Sequence, residues 1–313
     1  MSGHIVSIGE ALVDMIEVDQ AEQPTYLAAW GGSPMNVAVG ARRLGSAVEF
    51  AGSFANDALG QRLKQFLESE GVGTDLCSVH DGVYTTIAMT SFINAEPQYA
   101  FYANPASYGL LPPATANRLQ IAEAAVVHTG SLVVLEDTVW ETINECLDVT
   151  AGIVTFDPNV RPRMVTDWDD YRRRLGALIN RADVVKFSIE DLEAAYPGQP
   201  AESIAMATLD GPTSAVVVTR GGDPITVYSH DQSTDLPLPG VLPVVDTTGG
   251  GDATMAAILH QLAAAGLPDT HDHWVQIARN ALVVAGIASS RRGGAISMPT
   301  AEEVAQHGVQ LSP

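Results

Sequence analysis

Short apolar runs alternate along most of this chain with stretches whose apolar residues recur at helical spacing. His4-Ile5-Val6-Ser7-Ile8-Gly9 reads as a buried strand ending in a turn. Residues 36–44 have helical spacing and stop at Gly45, a C-cap signal. Residues 47–52 read as a strand, and 61–70 as a helix closed by Gly71. The alternation continues with strands at 124–129, 152–157, 183–187 and 214–219. Helices fall between them at 138–149, 168–180 and 190–196, and another apolar helix follows Asp252. Continuous β-branched runs alternating with helices predict an α/β fold with a mainly parallel sheet covered on both faces.

Two regions break this rhythm. Residues 12–35 alternate apolar and polar without helical spacing. Residues 85–92 and 98–103 read as a hairpin turning at Asn94-Ala95-Glu96-Pro97. Strands without crossover helices do not fit a parallel sheet, so they predict a small separate β-sheet that projects from the core. The expected division is a core of 1–11, 37–84 and 104–313, with a β lid of 12–36 and 85–103. The Asp- and Pro-rich stretch 230–243 reads as a surface loop.

At 313 residues and 46% hydrophobic content, the chain is long enough for one large α/β domain. No stretch approaches the ~18 uninterrupted apolar residues of a membrane span. The N-terminus lacks a basic region followed by an apolar one, so no secretory signal is expected. Cys77 and Cys146 have no metal-ligand spacing, and a reducing cytoplasm is the simplest inference. The formal net charge is −21, and Lys64 and Lys186 are the two lysines. That balance argues against nucleic acid or an anionic membrane as partner. Any bound nucleotide must be held by local dipoles, arginines or metal. Either a salt-rich habitat or a GC-rich coding bias explains so acidic and lysine-poor a composition.

The densest chemical signal is Val245-Asp246-Thr247-Thr248-Gly249-Gly250-Gly251-Asp252-Ala253-Thr254. Glycines ahead of a helix let backbone N–H groups converge on an anion, and the helix N-terminus adds positive potential. A carboxylate at that rim repels phosphate. It is well placed to take a proton from a hydroxyl that attacks phosphate. The pattern therefore points to phosphoryl transfer to an alcohol. A second Gly-rich element, Gly31-Gly32-Ser33-Pro34-Met35-Asn36, opens the 36–44 helix; there Asn36 either caps the helix or hydrogen-bonds a polyol. Polar loops also follow several strands, at Gly9-Glu10, Asp157-Pro158-Asn159-Val160-Arg161, Lys186-Phe187-Ser188 and Thr219-Arg220-Gly221-Gly222. Ligands of open α/β sheets bind at that edge.

These two glycine elements resemble, in order and about 210 residues apart, the N- and C-terminal signatures of the ribokinase/pfkB family of sugar kinases. The resemblance covers essentially the whole chain. Gly9 to Asp14, Gly31 to Pro34 and Asp157 to Pro162 are most similar to the fructokinase-like branch. It implies a ribokinase-like three-layer sandwich with a projecting β-sheet lid, and ATP-dependent phosphorylation of a sugar hydroxyl, fructose first. Asp252 would be the general base, with Gly249, Gly250 and Gly251 as the anion hole. Asp14, Gly31, Gly32, Asn36 and Arg161 would face the sugar. Lys186, Ser188, Thr219, Gly221, Gly222, Asn280 and Gly286 would border the nucleotide. Asp191 would organise Mg²⁺ through water. Asp246, Thr248, Ala288, Arg291, Gly293 and Ser297 match the family's monovalent-cation site, which implies K⁺. A homodimer through the lid is expected.

Three departures from the family pattern matter. Gly250 stands where alanine is usual. Ser188-Ile189-Glu190-Asp191 replaces an Asn-x-x-Glu element. Phe101-Tyr102-Ala103-Asn104 lacks an arginine that follows the aromatic pair in many fructokinases. 2-Keto-3-deoxygluconate kinases, ribokinases and nucleoside kinases share the fold and stay open as readings. So does a sensor built on the kinase scaffold, although the retained Asp252 argues against it.

Overall fold

A computed structural model of the chain describes residues 3–19, 23–93, 96–102, 104–111, 118–240 and 242–311. Its centre is an eight-stranded sheet. The strand order is β14 (Gln232–Leu236), β13 (Asp223–Ser229), β12 (Ala215–Arg220), β11 (Val184–Ser188), β10 (Ile153–Asp157), β9 (Val126–Gly130), β1 (Ile5–Ile8) and β4 (Val48–Ala51). The strands from β12 to β4 pair in parallel. β13 and β14 add an antiparallel edge.

Helices cover both faces. α1 (Ser33–Arg43), α2 (Ala58–Ser69), α8 (Gly250–Ala265), α9 (His271–Ser289) and α10 (Ala301–Ala305) contribute to one apolar core. α3 (Arg118–Ala122), α4 (Asp137–Val149), α5 (Trp168–Ile179), α6 (Ile189–Ala195) and α7 (Ala201–Leu209) contribute to the other. Strand alternation sorts the side chains: Ile5, Val126, Val184 and Val217 face the first core, while Val6, Val127, Val185 and Val216 face the second. The expected three-layer sandwich is therefore present. Among the described residues no helix is long and apolar enough to cross a membrane.

A separate four-stranded sheet follows the order β3 (Tyr26–Gly31), β2 (Leu12–Glu17), β7 (Ile87–Ile93), β8 (Glu96–Tyr102). β7 and β8 form the expected antiparallel hairpin. Glu96 and Pro97, expected in the turn, instead pair with Ile93 and Phe92 as the start of β8, while Asn94, Ala95 and Ala103 lie outside the described residues. β5 (Ser53–Ala55) and β6 (Ser78–His80) make a third, two-stranded sheet.

The structure corrects the reading of 230–243 as a loop. Residues 232–236 are an edge strand, joined to β13 through His230 and Asp231, both at positive φ (51° and 57°). Two positive-φ residues are what a tight hairpin needs, since that turn matches strand twist. The segment is polar because an edge strand exposes most of its side chains. α1 also begins earlier than expected. Gly32 (φ 105°) is its N-cap and Pro34 lies in its first turn, so Asn36 stands inside the helix rather than capping it.

Candidate active site

On the face under α1 and α8, four adjacent strands each turn polar at their third residue. These are Ser7 on β1, His128 on β9, Thr155 on β10 and Lys186 on β11. Register places Ser7 beside His128 and His128 beside Thr155. Ser7 Oγ donates to Pro34 O (2.8 Å), which ties β1 to the start of α1. His128 Nδ1 and Thr155 Oγ1 are hydrogen-bonded at 2.9 Å. Lys186 Nζ lies 2.9 Å from Asp157 Oδ2, and both side chains are buried. This polar floor lies at the carboxyl edge of the strands, where open α/β sheets bind ligands.

The two glycine elements meet above it. Gly249 adopts the left-handed conformation (φ 83°) that turns the chain into α8. Asp252 sits in the first turn, 8% exposed. Ser33 Oγ donates to its Oδ1 and Asn36 Nδ2 to its Oδ2, each at 2.7 Å. Residues 216 and 219 positions away in sequence thereby aim one carboxylate. First-turn amides of a helix have no intrahelical acceptor. The Gly250 N–H turns back onto Thr247 O (3.1 Å). Gly251 and Asp252 then supply the next amides at this end.

Asp14, on β2, enters from the small sheet. A Cβ at Gly31 would stand 2.0 Å from Asp14 Oδ2, so the glycine makes room for that carboxylate. Burial pushes the Asp14 carboxyl up to about 6, against the pull of Arg161 and with a further push from Asp252. Glu10 lies where β1 gives way to β2, and its Oε1 accepts from Ser33 N (3.2 Å). Burial pushes it up to about 7, opposed by Ser131, Arg161 and the Ser33 amide. Burial likewise holds Asp157 at about 6 despite Lys186. His128 is pushed down to about 3 by burial and then by Lys186, which keeps it neutral. Burial disfavours the Lys186 ammonium, but Asp157, Asp191 and Asp252 outweigh that and raise its pKa. Arg161 is exposed and donates to Asn159 O (3.0 Å).

Asp191 closes a capping box on α6: its Oδ2 accepts from Ser188 N and its Oδ1 from Val160 N. One carboxylate thus ties the loop after β10 to the end of β11. Thr219 Oγ1 donates to Phe187 O (3.3 Å), and Gly221 (φ 56°) and Gly222 form the exposed turn from β12 to β13. Asp246 accepts from Thr248 N (2.9 Å) and Gly293 N (3.3 Å), joining the strap before α8 to the loop after α9. In that loop Ser297 Oγ donates to Gly294 O (2.8 Å). Ala288 is buried near the end of α9, with Gly286 two residues before it. Arg291 turns its guanidinium to Glu303 on α10, so only its backbone remains for the strap.

Asn280 stands apart from the rest. Its Nδ2 donates to Gln261 Oε1 (2.8 Å). Gln261 lies nine residues along α8 from Asp252, about 14 Å at helical rise.

Sequence reasoning put Glu10 and Asp157 in strand-end loops at the ligand edge without a role for either. It missed Ser33, His128, Thr155 and Gly294, which orient Asp252 or form the floor beneath it. A Cβ at Gly294 would come within 2.9 Å of Asn36 Nδ2. Arg43 donates to Ile296 O (3.1 Å) and Met298 O (2.6 Å) and pairs with Glu70, so it clamps the same loop from α1. A polar residue at the third place of successive buried strands was the available signal.

A buried acid at an amide-rich helix start, roofed by a small sheet, defines a phosphotransferase acting on an alcohol. Comparison with known proteins agrees. Residues 2–301 match the model of the pfkB family of carbohydrate kinases, and the chain belongs to that family. It is a sugar phosphotransferase. It is 30% identical to fructokinase-1 of Zea mays over 96% of both chains. Among solved structures, a fructokinase from Xylella fastidiosa with bound ATP superposes with a TM-score of 0.89 at 28% identity, covering 98% of each chain. A fructokinase variant from Vibrio cholerae, in a fructose-, ADP- and potassium-bound form, shares the fold at TM-score 0.84 and 24% identity, covering 97% of this chain and 98% of its own.

Proposed function

We propose that this chain moves the γ-phosphoryl group of ATP onto a hydroxyl of a neutral sugar, fructose first, with Asp252 as general base. The observation that carries this is the aim of Asp252. Two donors hold one lone pair of each oxygen and leave others free for a substrate hydroxyl. As that oxygen attacks in line, Asp252 takes its proton, and the amides at the start of α8 face the charge that builds on the phosphoryl oxygens. Asp14, Gly31, Gly32, Asn36 and Arg161 border the sugar. Ser188, Thr219, Gly221, Gly222 and Gly286 border the nucleotide.

The charge of the cleft supports a neutral acceptor. Asp14 and Asp252 add to each other's negative charge, and Arg161 is the cation that acts on Asp14, so a sugar acid would bring further negative charge to an acidic group. That favours fructose over 2-keto-3-deoxygluconate. The fructokinase relatives point the same way.

Among the described residues no group of three or more His, Cys, Asp or Glu could hold a metal ion. Mg²⁺ suits such a site when phosphates and water supply most of its oxygens, with Asp191 as an outer partner. It would offset phosphate charge. For K⁺, the oxygens of the Asp246–Thr248 strap and the 288–297 loop are of the right kind, and the ion would stiffen the helix start from behind. The small sheet leaves Leu27 and Tyr102 exposed (46% and 60%), which suits a homodimer through this sheet. Closure of that sheet over the sugar would exclude competing water.

The test is a panel of fructose, ribose, 2-keto-3-deoxygluconate and nucleosides, read by ATP consumption with and without K⁺. Fructose is expected to give the highest kcat/KM, with K⁺ raising it. Preference for the sugar acid would overturn the neutral-acceptor reading. No transfer to any acceptor would overturn the enzyme reading.

A further inference from the structure

We propose that Lys186 is a positioning residue for phosphoryl transfer: its buried ammonium, fixed by Asp157 beneath Gly251, supplies the positive charge that lets the Asp252 carboxylate and an incoming phosphoryl group share the start of α8. The proposal rests on the reading of Asp252 as base and of the α8 start as the anion site.

Lys186 is 3% exposed, so it is not an open phosphate-binding lysine. Its Nζ is 2.9 Å from Asp157 Oδ2. A Cβ at Gly251 would lie 3.5 Å from Nζ and 3.7 Å from Cε, so the ammonium packs against the first turn of α8. Stability does not explain a cation there. A helix N-terminus carries partial positive charge and favours anions. A buried ion pair is on average no more stabilising than apolar residues of the same volume. The lysine makes sense when the anions that belong at this helix end are counted.

Three carboxylates face the ammonium from three elements: Asp157 on β10, Asp191 on α6 and Asp252 on α8. Asp14 of β2 adds its charge to Asp252 from the small sheet. His128 on β9 is neutral and adds none. Arg161 is exposed and acts on Glu10 and Asp14 instead. The other lysine, Lys64, pairs with Glu68 on α2. Lys186 is thus the cation beneath the helix start in a chain of net charge −21. A phosphoryl group arriving beside ionised Asp252 meets like charge unless a fixed cation lies behind both. The ammonium does so from below, within contact distance of the first turn of α8.

The experiment compares Lys186→Met with the double variant Asp157→Asn/Lys186→Met. The single variant is expected to lose turnover about 10²-fold, the range for removing one oriented electrostatic contact. KM for the sugar should change little. The single variant also strands Asp157, so a fall in Tm is expected. The double variant removes both charges and should recover Tm without recovering turnover. If it regains turnover together with Tm, the pair is structural and the proposal fails. It fails equally if Lys186→Met keeps near-normal kcat. Either failure leaves the kinase reading intact, because that reading stands or falls on transfer by the unaltered chain.

Discussion

One face of the central sheet carries two regions with opposite jobs. Its lower half presents Ile5, Val126, Val184 and Ala215 to the helices above, all buried in one apolar core. Its upper half, two residues further along the strands and beyond, presents Ser7, His128, Thr155, Asp157 and Lys186, equally buried but polar. α8 spans both regions. Its carboxyl end lies over the start of β1, where Gly3 N donates to Ala263 O (3.3 Å). Its amino end holds Asp252 over the polar floor. Burial therefore does not tell core from site in this protein. In the lower half burial removes apolar surface from water. In the upper half it raises the cost of charge and so sharpens each electrostatic contact.

The contrast predicts a separation of effects. Leu262→Ala, in the apolar half of α8, should cost about 2–5 kcal/mol of stability while leaving kcat/KM of the folded fraction unchanged. Urea unfolding and kinetics on one preparation check both. Asn36→Ala should act on turnover as well as stability. It removes a charge-assisted hydrogen bond from Asp252 Oδ2, worth about 1.5–3 kcal/mol, and should lower turnover about 10–100-fold.

Glu10→Gln should show in pH dependence. The Glu10 carboxyl is held near 7 in the fold against an ordinary 4.5. Between those values the unfolded chain is deprotonated first, so this group costs stability progressively as pH rises and no further above about 7. The glutamine variant should lose that part of the decline, read as urea midpoints across the interval. The smallest effect belongs to Gly250→Ala. The added Cβ would stand 3.0 Å from Ser289 Oγ, and a shift of that hydroxyl should hold the loss under about 1 kcal/mol.

The sequence carried the parallel core plainly, because strands buried on both faces are continuous apolar runs. It hid β13 and β14, whose His230-Asp231 turn lacks the usual Asn-Gly signal and whose second strand, Gln-Ser-Thr-Asp-Leu, is mostly exposed. α7 escaped notice too: its buried Ile204, Ala205 and Thr208 make a short, weakly patterned stripe. Asp252 and Asn36 stood out within the glycine elements, and Asp14 through the family resemblance. The contacts of Ser33, Asp157 and His128 were not legible, because they lie across sheet register and between chain ends. The family resemblance put Asn280 on the nucleotide side, and in the structure its amide donates to Gln261.

The central claim is tested most directly by Asp252→Asn, with ATP binding measured by calorimetry and turnover on fructose measured on the same preparation. ATP should still bind, and turnover should fall by about 10²–10⁴-fold, the contribution of a general base. Near-normal turnover would contradict the account.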